Sequence, residues 1–137
     1  MMENTEKVQS FRVIIAGGRD FDDEDLLQDS MWQLYGDSDY GYACSYLSDY
    51  VIVSGGARGA DKLGEQWAKD YSFPVERYPA QWELYGKQAG HIRNHQMAEV
   101  SNVLVAFWDG QSKGTEHMIS TALKKGLEVH VYRYNSI

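Results

Sequence analysis

The chain has 137 residues and a mass of 15.6 kDa, and its 43% hydrophobic content is enough for the core of one ordinary domain. Thirteen Lys and Arg face twenty Asp and Glu, a formal charge of −7, which argues against the generic phosphate-backbone binding that requires a basic surface. One cysteine, Cys44, excludes an internal disulfide and a cysteine-based metal cluster, and no run of ~18 apolar residues is present to span a bilayer.

The N-terminus MMENTEKVQS lacks the apolar stretch of a secretion signal. Residues 1–10 therefore read as a flexible tail ahead of a single domain over 11–137, in a soluble cytoplasmic protein. Five short, mostly β-branched apolar runs follow: residues 12–16 (RVIIA), 51–54 (VIVS), 75–78, 103–107 (VLVAF) and 129–132 (VHVY). The first, second and fourth are nearly continuous in apolar residues, as strands buried on both faces require. Between them lie segments of helical spacing: Leu27, Met31 and Leu34; Ala60, Leu63, Trp67 and Tyr71; Ile92, Gln96 and Val100; Met118, Ile119, Ala122 and Leu123. Gly36 and Gly126 sit where a left-handed residue would end the first and last helices. The stretch 36–49 fits neither pattern and reads as a connection at the end of the sheet opposite the site. Six carboxylates fall between Asp20 and Asp29; all but Asp20 suit a solvated helix start that complements its dipole.

Strands alternating with helices through right-handed crossovers give an α/β fold, a parallel sheet covered on both faces, whose ligands bind beyond the carboxyl ends of the strands. Two such strand ends carry paired glycines: Gly17-Gly18-Arg19-Asp20 after the first, and Gly55-Gly56-Ala57-Arg58-Gly59-Ala60-Asp61, preceded by Ser54, after the second. Glycine admits positive φ and lets a ligand approach backbone N–H groups, and a helix N-terminus favours an anion, so a phosphate suits these loops. Neither loop is GxGxxG or GxxxxGK[ST]. The competing reading is that the glycines only make tight turns and that Arg19 and Arg58 pair with carboxylates.

The fourth strand ends in Trp108-Asp109, and Gly114-Thr115-Glu116 opens the last helix, a second candidate anion cradle in which Asp109 or Glu116 could accept from ribose hydroxyls. Thr115 could equally be a plain N-cap and Glu116 a surface acid. Between the third strand and third helix, Trp82 or Tyr85 could stack on a base while Arg93 and Asn94 reach the site; Trp82 could also simply seal the core edge. His91 reads as a structural or phosphate-contacting histidine rather than a general base. With His95 it lacks a third ligand in sequence, so no metal site is expected beyond a magnesium ion accompanying a bound phosphate.

Four blocks, VIIAGGRDF, VIVSGGARGAD, YPAQWELYGKQAGHIRNHQM and VAFWDGQSKGTEHMI, resemble the SLOG superfamily of Rossmann-like proteins, specifically its YspA/YpsA-related branch. The resemblance implies a three-layer α/β/α fold with a five-stranded parallel sheet of order 3-2-1-4-5, which places Gly17–Asp20 beside residues 108–115. It also implies a nucleotide or nucleotide-derived ligand and a homodimer. Relatives include the LOG phosphoribohydrolases, which cleave the N-glycosidic bond of nucleoside 5′-monophosphates, and the DprA branch, which binds single-stranded DNA. The LOG motif PGGxGTxxE ends in a glutamate where this chain has Met118. Glu116 lies two positions earlier, a rotation of about 200° on a helix, and does not substitute for it.

Three functions are thus in view. The first is binding or sensing of a nucleoside monophosphate or ADP-ribose-like molecule, with its phosphate on the Gly55–Gly59 or 113–115 amides and Arg19, Arg58 and Arg93 neutralising charge. The second is hydrolysis of such a nucleotide, with Asp61 or Glu116 as the foremost catalytic candidates alongside Asp20 and Asp109. The third, single-stranded DNA binding, is disfavoured by the net charge.

Overall fold

The computed structural model describes residues 10–37 and 50–135. Most of the expected tail, residues 38–49 of the expected connection and Cys44 lie outside these residues. The elements are β1 (Phe11–Gly17), α1 (Glu24–Asp37), β2 (Tyr50–Ser54), α2 (Ala60–Asp70), β3 (Val75–Arg77), α3 (Trp82–Tyr85) with a 3-10 turn at Gly86–Gln88, α4 (Ala89–Val100), β4 (Val103–Trp108), α5 (Lys113–Lys124) and β5 (Glu128–Arg133). The five strands are parallel in the order β3-β2-β1-β4-β5, a Rossmann-like sheet. Gly17 is in register with Phe107, so the ends of β1 and β4 meet where the strand order reverses.

The alternation of side chains along the strands divides the core. Val13 and Ile15 of β1, Ile52 of β2, and Val103, Val105 and Phe107 of β4 face α1 and α2, meeting Leu27, Met31, Leu34, Ala60 and Trp67. Ile14, Ala16, Val53, Leu104 and Ala106 face the other way, onto Met97 and Ala98 of α4 and Met118 and Ala122 of α5. Each large, fully buried side chain in these layers contributes on the order of 1.5–3 kcal/mol. Among the described residues no helix is long and apolar enough to cross a membrane.

Two expectations need correction, and one helix is additional to those the spacing predicts. Gly36 does not end α1: it lies inside the helix and, unlike Gly126 with φ of 85°, is not left-handed. The buried face of α4 is Ala89, Asn94, Met97 and Ala98, whereas Gln96 and Val100 are exposed and Ile92 only half-buried. The apolar spacing misled because the inward position at the strand-end side is filled by Asn94, a polar residue satisfied by hydrogen bonds rather than by a hydrophobic partner. The stretch after β3 holds the short helix α3, whose Trp82, Leu84 and Tyr85 are all exposed.

Candidate functional site

The loop after β2 is built from its own side chains. Ser54, fully buried at the end of the strand, donates its hydroxyl to Glu65 Oε2 (2.6 Å) and accepts from the Gly56 N–H (3.0 Å). Glu65 also meets Arg77 at 3.0 Å. Asp61, on the first turn of α2, accepts from the Ala57 N–H (3.2 Å) and from Gly55. Burial pushes the Asp61 carboxyl up to about 6, against the pull of those N–H groups and of Arg93. The N–H groups of residues 55–57 are thus occupied from within, and the amide cradle expected there is already filled by a carboxylate and a hydroxyl.

Gly59 locks this loop to the one after β1. Its φ is 77°, and a Cβ there would lie 2.1 Å from the Gly18 carbonyl oxygen. That same oxygen accepts from both Phe21 and Ala60 N–H groups. Gly59→Ala should destabilise the fold by about 2 kcal/mol, from left-handed strain plus the clash, as a shifted urea midpoint would show.

A two-lobed groove opens beside this junction. The inner lobe, about 250 Å³, lies over Ala16, Met97 and Met118 and is lined by Asp61, Lys87, His91, Arg93, Asn94 and Thr115, among others. The outer lobe, about 320 Å³, runs along Gly55–Arg58 to Pro79 and Ala80. Arg19, Ala57, Trp82 and Arg93 belong to both. Arg93 donates through Nη1 to the Gly55 carbonyl (2.8 Å) and through Nε to Asn94 Oδ1 (3.1 Å). Its pKa is lowered by burial and by neighbouring Arg19, with Asp61 opposing. Among the described residues Arg19, Arg58 and Lys87 form no ion pair, so the alternative in which the two arginines are consumed by carboxylates is not what the structure shows.

The structure therefore brings together Gly17, Arg19, Gly55, Gly56, Ala57, Arg58, Asp61, Trp82, Arg93, Asn94, Gly114 and Thr115 along the groove, with Ser54 and Gly59 shaping its loops. It does not bring Gly18, Asp20, Trp108, Asp109 or Glu116 to the groove wall. The last residue of β5 and the one after it explain much of this. The Tyr134 hydroxyl sits over Gly18, within 1.8 Å of where a Cβ would be, and donates to Asp20 Oδ1 (2.6 Å). Arg133 lies over the Trp108 ring at 5.3 Å and closes against Gly110. Trp108 Nε1 donates to the Ser112 carbonyl (3.1 Å), and Asp109 accepts from Gln111 and Ser112 N–H groups, bonds that lower its pKa. Glu116 points along the surface near Lys113 (3.8 Å).

The N-cap of α5 is Ser112, whose Oγ accepts from the Thr115 N–H (3.4 Å), which corrects the alternative that Thr115 is the cap. Thr115 instead points inward, 5% exposed. The Gly114 N–H, in the first turn of α5, has no acceptor among the described residues. Sequence reasoning missed Lys87, Ser112, Glu65, Tyr134 and His117. Glu65 lies four residues after Asp61 on one helix face, and Ser112 stands three residues before Thr115; both signals were legible. His117 supplies a third histidine beside His91 and His95, stacked on His91 with centroids 3.7 Å apart. Still, no three His, Cys, Asp or Glu among the described residues are arranged to hold a metal ion.

A sequence profile described as "YspA, cpYpsA-related SLOG family" matches residues 11–85, both glycine loops included. The chain belongs to this family. The Gene 61 protein of Mycobacterium phage D29 is a 36% identical relative over 124 residues, covering 86% of this chain and 93% of the phage protein. The solved structure of DNA processing protein A (DprA) from Streptococcus pneumoniae superposes with a TM-score of 0.69 over 93% of this chain at 15% identity, which shows a shared fold. The chain spans about half the length of DprA, 52%. SLOG membership thus agrees with the sheet order and with the two glycine loops that adjoin the groove.

Proposed function

We propose that the groove binds a phosphate-bearing nucleotide or nucleotide derivative, a nucleoside monophosphate or an ADP-ribose-like molecule. The observation that carries this reading is the convergence of four cations, Arg19, Arg58, Lys87 and Arg93, three of them without ion-pair partners among the described residues, on one groove of a chain whose net charge is −7. Guanidinium forks match phosphate oxygens, and the Gly114 N–H, without an acceptor among the described residues, adds a donor at the start of α5. Trp82, 54% exposed and shared by both lobes, offers a face for a base. Because the loop amides of residues 55–57 are engaged, side-chain cations carry the phosphate in the outer lobe.

The test is calorimetric titration of AMP, ADP-ribose and adenosine. AMP or ADP-ribose should bind and adenosine should not. Arg58→Ala should weaken binding about tenfold with the thermal midpoint unchanged, since Arg58 is exposed and forms no ion pair among the described residues. Unaltered affinity would remove Arg58 from the site.

One observation favours a second reading, cleavage of the N-glycosidic bond of such a nucleotide. Of the two foremost candidate acids only Asp61 lines the groove, and burial pushes its carboxyl up to about 6. Release of adenine and ribose 5-phosphate from AMP, abolished by Asp61→Asn, would establish it.

A further inference from the structure

The inner lobe ends on a chain of hydrogen bonds whose polarity is fixed from one end. Arg93 Nε has only a proton to offer, so the atom of Asn94 that faces it at 3.1 Å is the amide oxygen. The Asn94 amide nitrogen then points to His117 Nδ1 at 3.0 Å, with the Gly114 carbonyl at 3.5 Å as a second, weaker acceptor. An amide N–H needs a lone pair to donate to, so His117 must be neutral at Nδ1 and carry its proton on Nε2, which faces Thr121 Oγ1 at 3.5 Å. Asn94 is 5% exposed and has little water with which to replace a lost partner.

We propose that His117 is a positioning residue of the groove: by accepting from Asn94 it locks the amide that aims Arg93, linking a neutral imidazole to the guanidinium that meets the anion. This rests on the reading of the groove as an anion site. A proton on Nδ1 would set N–H against N–H; either the Asn94 bond breaks, or the amide turns over and denies Arg93 its acceptor. The surroundings of His117 favour the neutral form. It is partly buried, His91 and His95 face it from α4, and Lys124 lies on its own helix. Burial first, then the electrostatic influence of His91, His95 and Lys124, lowers its pKa below the ordinary histidine value. Asp61 works in the opposite sense on binding, since its protonation at lower pH removes a negative charge from the same lobe, so the decisive readout is the imidazole itself.

The first measurement is a long-range proton–nitrogen NMR correlation of the histidine rings in the whole chain between pH 5 and 8. His117 should show the Nε2–H tautomer at pH 7.5, and an Nδ1–H tautomer would overturn the proposal. Asn94→Asp exchanges the donor for an acceptor while still receiving Arg93 Nε, so the His117 midpoint should rise by more than about one unit; an unchanged midpoint would also overturn it. Binding is then read with AMP. His117→Ala should weaken AMP several-fold alone and add nothing to Arg93→Met, whereas multiplicative losses would show that the two residues act independently. Should the unaltered chain fail to bind AMP, the reading of the groove as a nucleotide site falls, and the tautomer and the Asn94→Asp titration decide the role of His117 by themselves.

Discussion

Arg93→Met is expected to cost about 3 kcal/mol of stability at pH 7.5 and to weaken AMP binding by about 10- to 100-fold. The guanidinium is half-buried and serves three groups at once: the Gly55 carbonyl, the Asn94 amide oxygen and, through space, the buried Asp61 carboxylate. Methionine keeps much of the apolar stem and removes the charge, so loss of packing is not the main effect. What remains is a carboxylate in a site of low polarity with its cation gone, and that sets the pH dependence. Below about pH 5 Asp61 is protonated in both proteins, and the deficit should shrink to the lost hydrogen bonds, about 1–2 kcal/mol. Urea denaturation at pH 4.5 and 7.5 checks this; an equal deficit at both values would mean that Arg93 does not compensate Asp61.

Asp61→Asn should make stability less sensitive to pH. The carboxyl titrates near 6 in the folded chain against an ordinary value of 3.8, so the folded state binds the proton more tightly than the unfolded state. A raised folded-state pKa contributes stability that is fully present below about pH 4 and is lost as pH climbs through 6. The loss amounts to about 3 kcal/mol, at roughly 1.4 kcal/mol per pH unit over the shift. Relative to the asparagine variant, the unaltered chain should therefore decline by that amount between pH 3.5 and 7 and run parallel above it. Asparagine retains an oxygen for the Ala57 N–H, which keeps the loop shape comparable. Parallel profiles across the whole range would mean that the carboxyl is not destabilised by burial.

The parts of the fold set by repeating patterns could be read in advance. Four of the five strands announced themselves through β-branched residues, β3 with its single Val75 more weakly, and Leu27, Met31 and Leu34 through their spacing on α1. The face of α4 could not be read this way, because Asn94 is buried for its hydrogen bonds and periodicity counts only apolar residues. At the site, the glycine pairs pointed to two loops that adjoin the groove but not to what fills them: that Ser54 and Asp61 would occupy the N–H groups of residues 55–57 depends on side-chain directions that the sequence does not contain. The covering of Gly18 and Asp20 by Tyr134 was nearer to hand. With β5 beside β4 at the sheet edge, its last residue and the one that follows must emerge at the same end as the glycine loops, and Arg133 and Tyr134 are long enough to lie across them. The meeting of His117 with His91 depends on how α4 and α5 align, which no local pattern reports.

The interlock between Gly59 and the Gly18 carbonyl bears on how quickly the groove can be occupied. Two loops that share one carbonyl acceptor and leave no space between their backbones move together or not at all. Their ordering entropy is spent during folding, before any guest arrives, so the groove is preorganised. Capture by this part of the groove is then a collision with a standing surface, and its rate should climb in proportion to ligand concentration without the plateau that a slow loop rearrangement imposes.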